Sequence, residues 1–246
     1  TQCRNYSRIE KEVEGMMSRV LVIGDLHAPV TRKHYLQFCK DVRRKHRCNT
    51  VVFIGDVVDW HAVSFHAALP ECPSPADEYE LALQEVQTWY KAFPVAKICI
   101  GNHDARPKRL AESVNIPARL LRDYNEQWKT PKWNWGTSFI IDNVFYHHGH
   151  GKSGGINPAF NTAKNMGMSV VIGHSHSKAG VKWLVNPRCR WFGMDVGTGV
   201  DDRKMAFAYA KEQTYRSILS CGVVLNGMPQ HIMMEVGKGE RYHDGR

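Results

Sequence analysis

The chain has 246 residues, 43% hydrophobic and 23% charged, with a net charge of +9 and a pI of about 9.2. That length buries one sizeable core, and no apolar run reaches the length of a membrane-spanning helix, so no membrane partner is expected. The seven cysteines contain no CxxC pair, which argues against a disulfide framework or zinc knuckle and for a reducing, cytoplasmic setting. The positive charge favours anionic partners. Thirteen histidines are the unusual feature of the composition, and their positions are more informative than their number.

In chain order, short apolar runs recur and end in similar punctuation. "RVLVIGDLH" ends at Asp25 and His27, and "TVVFIGDVVD" at Asp56 and Asp59. "AKICIGNHD" ends at Asn102, His103 and Asp104, "NVFYHHGH" at a group of histidines, and "SVVIGHSH" at His174 and His176. Runs of β-branched and aromatic residues closed by glycine read as buried strands. Between them, residues 33–46 place Tyr35, Phe38 and Val42 on one helical face. Residues 75–93 read as a second helix, with Ser74 as N-cap, Pro75 in the first turn and Asp77 closing a capping box. The second half looks more antiparallel. One hairpin is expected at Asp142-Asn143 and another at Asn226-Gly227, the latter weakened by Pro229. The alternation predicts an α/β fold with a helix-covered sheet, and ligands gather at strand carboxyl ends in such sheets.

"GHGKSGG" at 149–155 invites comparison with a phosphate-binding P-loop. The position that must be the first glycine is Tyr146, so that reading fails. Taken singly, the remaining motifs are ordinary: an aspartate after a strand is commonly a cap, and Gly-Asn-His is commonly a turn. Together, five strand ends deliver carboxylates, an amide and several imidazoles to one rim. A pair of divalent ions needs that donor set. With no cysteine in the group, Mn²⁺, Fe, Ni²⁺ and Zn²⁺ remain as candidates.

The order DLH, GDVVD, GNHD, HGH, GHSH resembles the calcineurin-like metallophosphoesterases over about residues 19–200. The resemblance implies a four-layer α/β/β/α sandwich with a dimetal site at the strand ends. Asp25, His27 and His176 would hold one ion, and Asn102, His148 and His174 the other, with Asp56 bridging. His103 would be the general acid, oriented by Asp59, and water activated between the two ions would be the nucleophile. Two divalent ions are expected, Mn²⁺ foremost. Residues 1–16 read as an N-terminal extension or added leader, and 17–246 as the phosphoesterase domain.

The resemblance also narrows the substrate. Members that dephosphorylate proteins carry Arg directly after GDxxD, as a phosphate clamp; here Trp60 stands there. His61, His66 or Arg106 could supply a replacement contact. His147 is expected to pack, His150 to touch substrate or face water, and Lys152 to sit in a loop within reach of a phosphate. Basic and aromatic residues interleave at 129–136 and 182–193. That mixture suits single-stranded nucleic acid, or else the tryptophans are core residues beside snorkelling lysines. The run 43–48 reads as a solvated face. The expected function is hydrolysis of phosphodiester bonds in nucleic acid or nucleotides. The alternatives are a phosphomonoesterase on a small metabolite or phosphoprotein, and a non-catalytic nucleic-acid-binding module on the same fold.

Overall fold

The computed structural model describes residues 18–64, 72–151, 154–201, 203–204 and 216–235. The expected extension at 1–16, together with His66 and Lys152, lies outside these described residues. In the first sheet, β1 (Arg19–Ile23), β2 (Thr50–Phe53), β3 (Ala96–Cys99) and β4 (Trp133–Gly136) run parallel. Two antiparallel strands, β10 (Ser220–Leu225) and β11 (Met228–Met233), extend it beyond β1, giving the order β11-β10-β1-β2-β3-β4. The second sheet contains β5 (Ser138–Ile141), β6 (Val144–His147), β7 (Ser169–Ile172), β8 (Gly180–Val185) and β9 (Arg190–Asp195), in the order β5-β6-β7-β9-β8.

Why two sheets form is visible in the strands. Side chains alternate across a strand, so a run that is apolar at every position must be buried on both faces. Val20, Val22, Val52 and Ile54 point between the sheets and meet Tyr146, Val171 and Met194. Leu21, Ile23, Val51 and Phe53 point the other way, into a core with Tyr35, Val86 and Trp89. Those three belong to helices α1 (Tyr35–Lys45) and α2 (Pro75–Ala92). Two short helices, α3 (Arg106–Ser113) and α4 (Tyr124–Trp128), lie between β3 and β4 in the chain. The outer face of the second sheet, with Phe145, Val170 and Ile172, packs on Ala159 and Ala163 of α5 (Pro158–Met166). The layers are therefore α/β/β/α, as expected.

Local signals account for the boundaries. Ser74 Oγ accepts from the Asp77 N–H at 3.3 Å and donates to Asp77 Oδ2 at 2.7 Å, a cap in which the carboxylate grips the hydroxyl. Basic residues Arg43, Arg44 and Lys45 close α1, where the helix dipole favours them. Both hairpins form at residues with left-handed backbone, Asp142-Asn143 and Asn226-Gly227. Pro229 does not break its strand, because β11 is at the sheet edge. One expectation is corrected: the second sheet is mixed. β6, β7 and β9 pair in parallel, and only the β5–β6 and β8–β9 pairs are antiparallel. The 21-residue stretch from β6 to β7 passes through α5, the crossover a parallel pair requires (about a dozen residues or more).

Candidate metal centre

The carboxyl ends of β1, β2 and β3 in one sheet meet those of β6 and β7 in the other. Backbone bonds lock the first two loops together: Leu26 and His27 donate N–H to Asp56 O at 3.1 and 2.9 Å. Ala28 donates to Val57 O at 2.9 Å, and Asp59 donates back to Ala28 O at 3.0 Å. The chain turns sharply to aim its side chains. His27, Asp56, His174 and His176 have φ of 51°, 46°, 72° and 46°. Non-glycine residues seldom adopt this region, and those that do cluster at functional sites. Gly55 has φ +117°, and a Cβ there would lie 2.5 Å from His148 Nδ1, so only glycine lets this ring approach.

Two groups of donors hold the expected ligands, and a third set close enough to hold an ion, His27, Asp59 and His103, overlaps the first at His27. In the first, His176 Nε2 lies 3.0 Å from Asp25 Oδ2, with His27 completing the set. In the second, His148 Nε2 lies 3.0 Å from both Asp56 Oδ2 and Asn102 Oδ1, with His174 completing it. Asp56 Oδ2 is also 3.7 Å from His27 Nε2, so one carboxylate oxygen faces an imidazole of each group. His103 stands beside them. Its Nδ1 is 3.0 Å from Asp59 Oδ1 and 2.8 Å from Asp59 O, and its backbone N–H donates to Asp56 Oδ1 at 2.8 Å.

The electrostatics follow from burying these charges. Burial raises the Asp25 and Asp56 carboxyls, but neighbouring imidazoles outweigh it and hold both below the usual range. Burial lowers His148, yet Asp56 and Asp25 reverse this and push it up to about 9. Burial and the adjacent His148 bring His174 down to about 4. Asp25 and Asp56 are 0% and 1% exposed. Buried carboxylates demand a nearby cation, and a protonated His148 is the chain's own answer. Among the described residues, Asp25 Oδ1 is moreover buried with no hydrogen-bond partner. Oxygen and imidazole donors in two adjacent groups, with one such orphaned oxygen, fit a pair of divalent ions.

All seven expected ligands, Asp25, His27, Asp56, Asn102, His148, His174 and His176, are brought together with His103 and Asp59. Arg106 is brought in too: its Nη2 is 3.1 Å from His103 Nε2. His150 does not simply face water; it is half-buried, its ring 5.4 Å from His148. His147 packs as expected, stacked on Phe145. His61 opens a 3₁₀ turn (His61–Val63) whose N–H groups are held by Glu78, and no contact among the described residues joins its ring to the cluster. Trp60 is 8% exposed and packs on Tyr79 and Trp128, away from the donors.

Two residues at this rim were not anticipated as partners. Asp104 accepts N–H bonds from Val58 (3.2 Å) and Gly101 (2.8 Å), tying the second and third loops, and burial pushes its carboxyl up to about 7. Asp195, at the end of β9, accepts from the Ser175 hydroxyl between His174 and His176, and from Gly197 N–H at 3.0 Å. The sequence signal for Asp104 is its place in GNHD; Asp195 has none, because β9 carries no motif.

The profile of the calcineurin-like phosphoesterase family (Metallophos) matches residues 18–196. No curated protein matches the chain. Among solved structures, the E. coli phosphoesterase YfcE is similar at 16% identity and TM-score 0.40, covering 85% of this chain and 88% of that one. Vps29 from Entamoeba histolytica aligns at 14% identity and TM-score 0.39, covering 89% and 99%. The Pseudomonas putida nuclease MPE aligns at 11% identity and TM-score 0.35, covering 87% and 86%. Likenesses this remote carry no functional argument, and the assignment stands on the profile, which spans every motif of the donor cluster. The chain belongs to the calcineurin-like phosphoesterase family.

Proposed function

We propose that this protein is a dinuclear metal-dependent phosphoesterase acting on phosphodiester bonds, in nucleic acid or nucleotides. Asp25, His27 and His176 would hold one ion, Asn102, His148 and His174 the other, and Asp56 would serve both. The observation that carries this reading is Asp56 Oδ2, which lies 3.7 Å from His27 Nε2 and 3.0 Å from His148 Nε2. Mn²⁺ is the ion we propose to test first; the carboxylate and amide oxygens suit it, while the four imidazoles equally admit Zn²⁺, Fe and Ni²⁺. When bound, a metal pair polarises a phosphoryl oxygen and lowers the pKa of water towards neutrality.

The chain's own residues supply the rest. Asp59 accepts from His103 Nδ1, which fixes the ring and leaves Nε2 as the nitrogen that gives a proton to the leaving oxygen. The negative charge of Asp59 and Asp56 raises the His103 pKa against the opposing effect of burial, favouring the protonated form an acid needs. Phosphoryl transfer depends mainly on positioning and charge neutralisation, so no protein nucleophile is required.

Support for a polymeric substrate is the net charge of +9 and the β8–β9 hairpin, where Trp183 is 38% exposed and Arg190 sits 5.3 Å from its ring centroid. The 129–136 stretch does not contribute as a stacking surface. Trp133 is 2% exposed and packs on Phe53 and Tyr90, while Trp135 stacks on Tyr124. The test is a hydrolysis screen of protein supplied with Mn²⁺, Zn²⁺ or no metal. Phosphomonoesters, phosphodiesters, cyclic nucleotides and single-stranded DNA would be compared. Diester or DNA hydrolysis that requires added metal is expected. Metal-loaded protein inert towards every phosphoester would overturn the reading.

A further inference from the structure

The Trp60 ring packs on Tyr79 and Trp128, and a guanidinium from another element comes to its backbone. Arg106 is the first residue of α3, three residues beyond His103, and its N–H bonds to His103 O at 3.0 Å. Its Nη1 donates to Asp59 O at 2.8 Å and to Trp60 O at 3.1 Å, which uses both hydrogens of that amino group. The guanidinium is rigid and planar, so anchoring Nη1 fixes the direction of the rest. Nη2 is thereby held 3.1 Å from His103 Nε2, within hydrogen-bond distance, so an arriving phosphate oxygen takes the place of Nε2 as acceptor of this N–H.

We infer that Arg106 is the phosphate-binding cation of this site, replacing the side chain that Trp60 cannot provide. The inference rests on the phosphoesterase reading and adds a substrate contact to it. Asp59 occupies His103 Nδ1, so any group His103 serves must approach Nε2. Such a group meets Arg106 Nη2 at the same point. A phosphate oxygen seated there receives two N–H donors, one able to release its proton and one that never does, since arginine stays charged at all working pH values. The pair therefore separates two tasks: His103 protonates the leaving oxygen, and Arg106 holds the negative charge in place. Its anchors are backbone carbonyls, so the arrangement does not depend on the identity of residue 60. Trp60 is thus free to pack on Tyr79 and Trp128.

The probe is inorganic phosphate, titrated calorimetrically into Mn²⁺-loaded protein. Wild type is compared with Arg106→Ala, Arg106→Gln and Arg106→Lys, and the metal content of each is measured by mass spectrometry. Removing one charge-assisted hydrogen bond should weaken phosphate binding about 10- to 100-fold in the Ala and Gln variants, with both ions retained. KM for a small diester should rise in parallel. Lysine should recover only part of the affinity, because its three donors share one nitrogen, which cannot stay at the two carbonyls and also occupy the position of Nη2. Gln keeps a planar amide to brace the turn, so an unchanged melting temperature there separates the missing charge from a folding defect. Unchanged phosphate affinity, or loss of metal in both the Ala and Gln variants, would overturn the assignment. If phosphate binding depends on Arg106 but no ester is hydrolysed, the phosphoesterase reading fails while this contact stands.

Discussion

Nδ1 of His27 lies 2.7 Å from Oδ1 of Asp59, and both side chains are buried. The same carboxylate oxygen is 3.0 Å from His103 Nδ1. Asp59 therefore orients both the proposed metal-binding imidazole and the proposed acid, and its removal should injure both roles. Asp59→Asn should lower metal affinity about 10- to 100-fold, the usual effect of losing a carboxylate behind a ligating histidine, and reduce kcat as well. Metal titration at fixed pH checks this; wild-type metal affinity in the variant would confine Asp59 to the His103 side.

Ligand and acid should separate cleanly. Asp56→Asn removes the shared negative charge and should lose both metal and activity. His103→Ala should retain two ions per chain while slowing turnover by about 10²–10⁴-fold. The deficit should shrink for a good leaving group such as p-nitrophenolate, which needs no proton. Metal loss on His103→Ala, seen by elemental analysis, would show that His103 is itself a ligand.

The metal-free and metal-bound proteins should respond to pH in opposite ways. His148 is raised from 6.5 to about 9 in the fold by Asp56 and Asp25, against burial. A raised histidine contributes stability that is complete below its unfolded pKa and is lost as pH climbs through the folded one. Metal-free wild type should therefore lose its advantage over His148→Gln between about pH 6.5 and 9. Metal ligation needs the neutral ring, so Mn²⁺ affinity should rise across the same window. Calorimetric melting with and without Mn²⁺ measures both; an advantage that grows with pH in the metal-free protein would contradict the assignment.

Two tryptophans should behave differently. Trp133 fills the core against Phe53, and its Nε1 donates to Phe93 O at 2.8 Å. Trp133→Ala should cost about 3–5 kcal/mol of stability and leave any nucleic-acid affinity of the folded fraction unchanged. Trp183→Ala should change stability little and weaken single-stranded DNA binding by about 1–3 kcal/mol if the ring stacks a base. Replacing Lys182 and Arg190 should flatten the salt dependence of that binding by about 0.7 for each phosphate that is no longer neutralised. A folded protein with no affinity for DNA or RNA at low salt would move the substrate reading to small phosphoesters.

The donor set was legible in the sequence because each part of it is local. A strand closed by glycine and followed by Asp or His places that side chain at a strand end, and parallel strands bring their ends to one rim. The double burial of β1 and β2 was equally plain from the unbroken apolar runs that follow Arg19 and Thr50, since an alternating pattern would have left one face to water. What the second sheet does was less plain. A 21-residue stretch between β6 and β7 is compatible with several pairings, and only packing of α5 on Phe145 and Val170 decides for the parallel one. The surroundings of Trp60 and Asp195, and the choice among the readings open for Trp133 and Arg106, came only from tertiary structure. Trp60 and Arg106 are 46 positions apart and meet through a backbone carbonyl, which leaves no mark on side-chain composition. Basic and aromatic residues spaced as in 129–136 look the same whether the rings stack on bases or fill a core. The sheet chooses between these, because β4 turns Trp133 inward against Phe53 and leaves Lys132 in solvent. Asp195 reaches Ser175 from a strand with no motif of its own, across the pairing of β7 with β9 that sequence spacing does not announce.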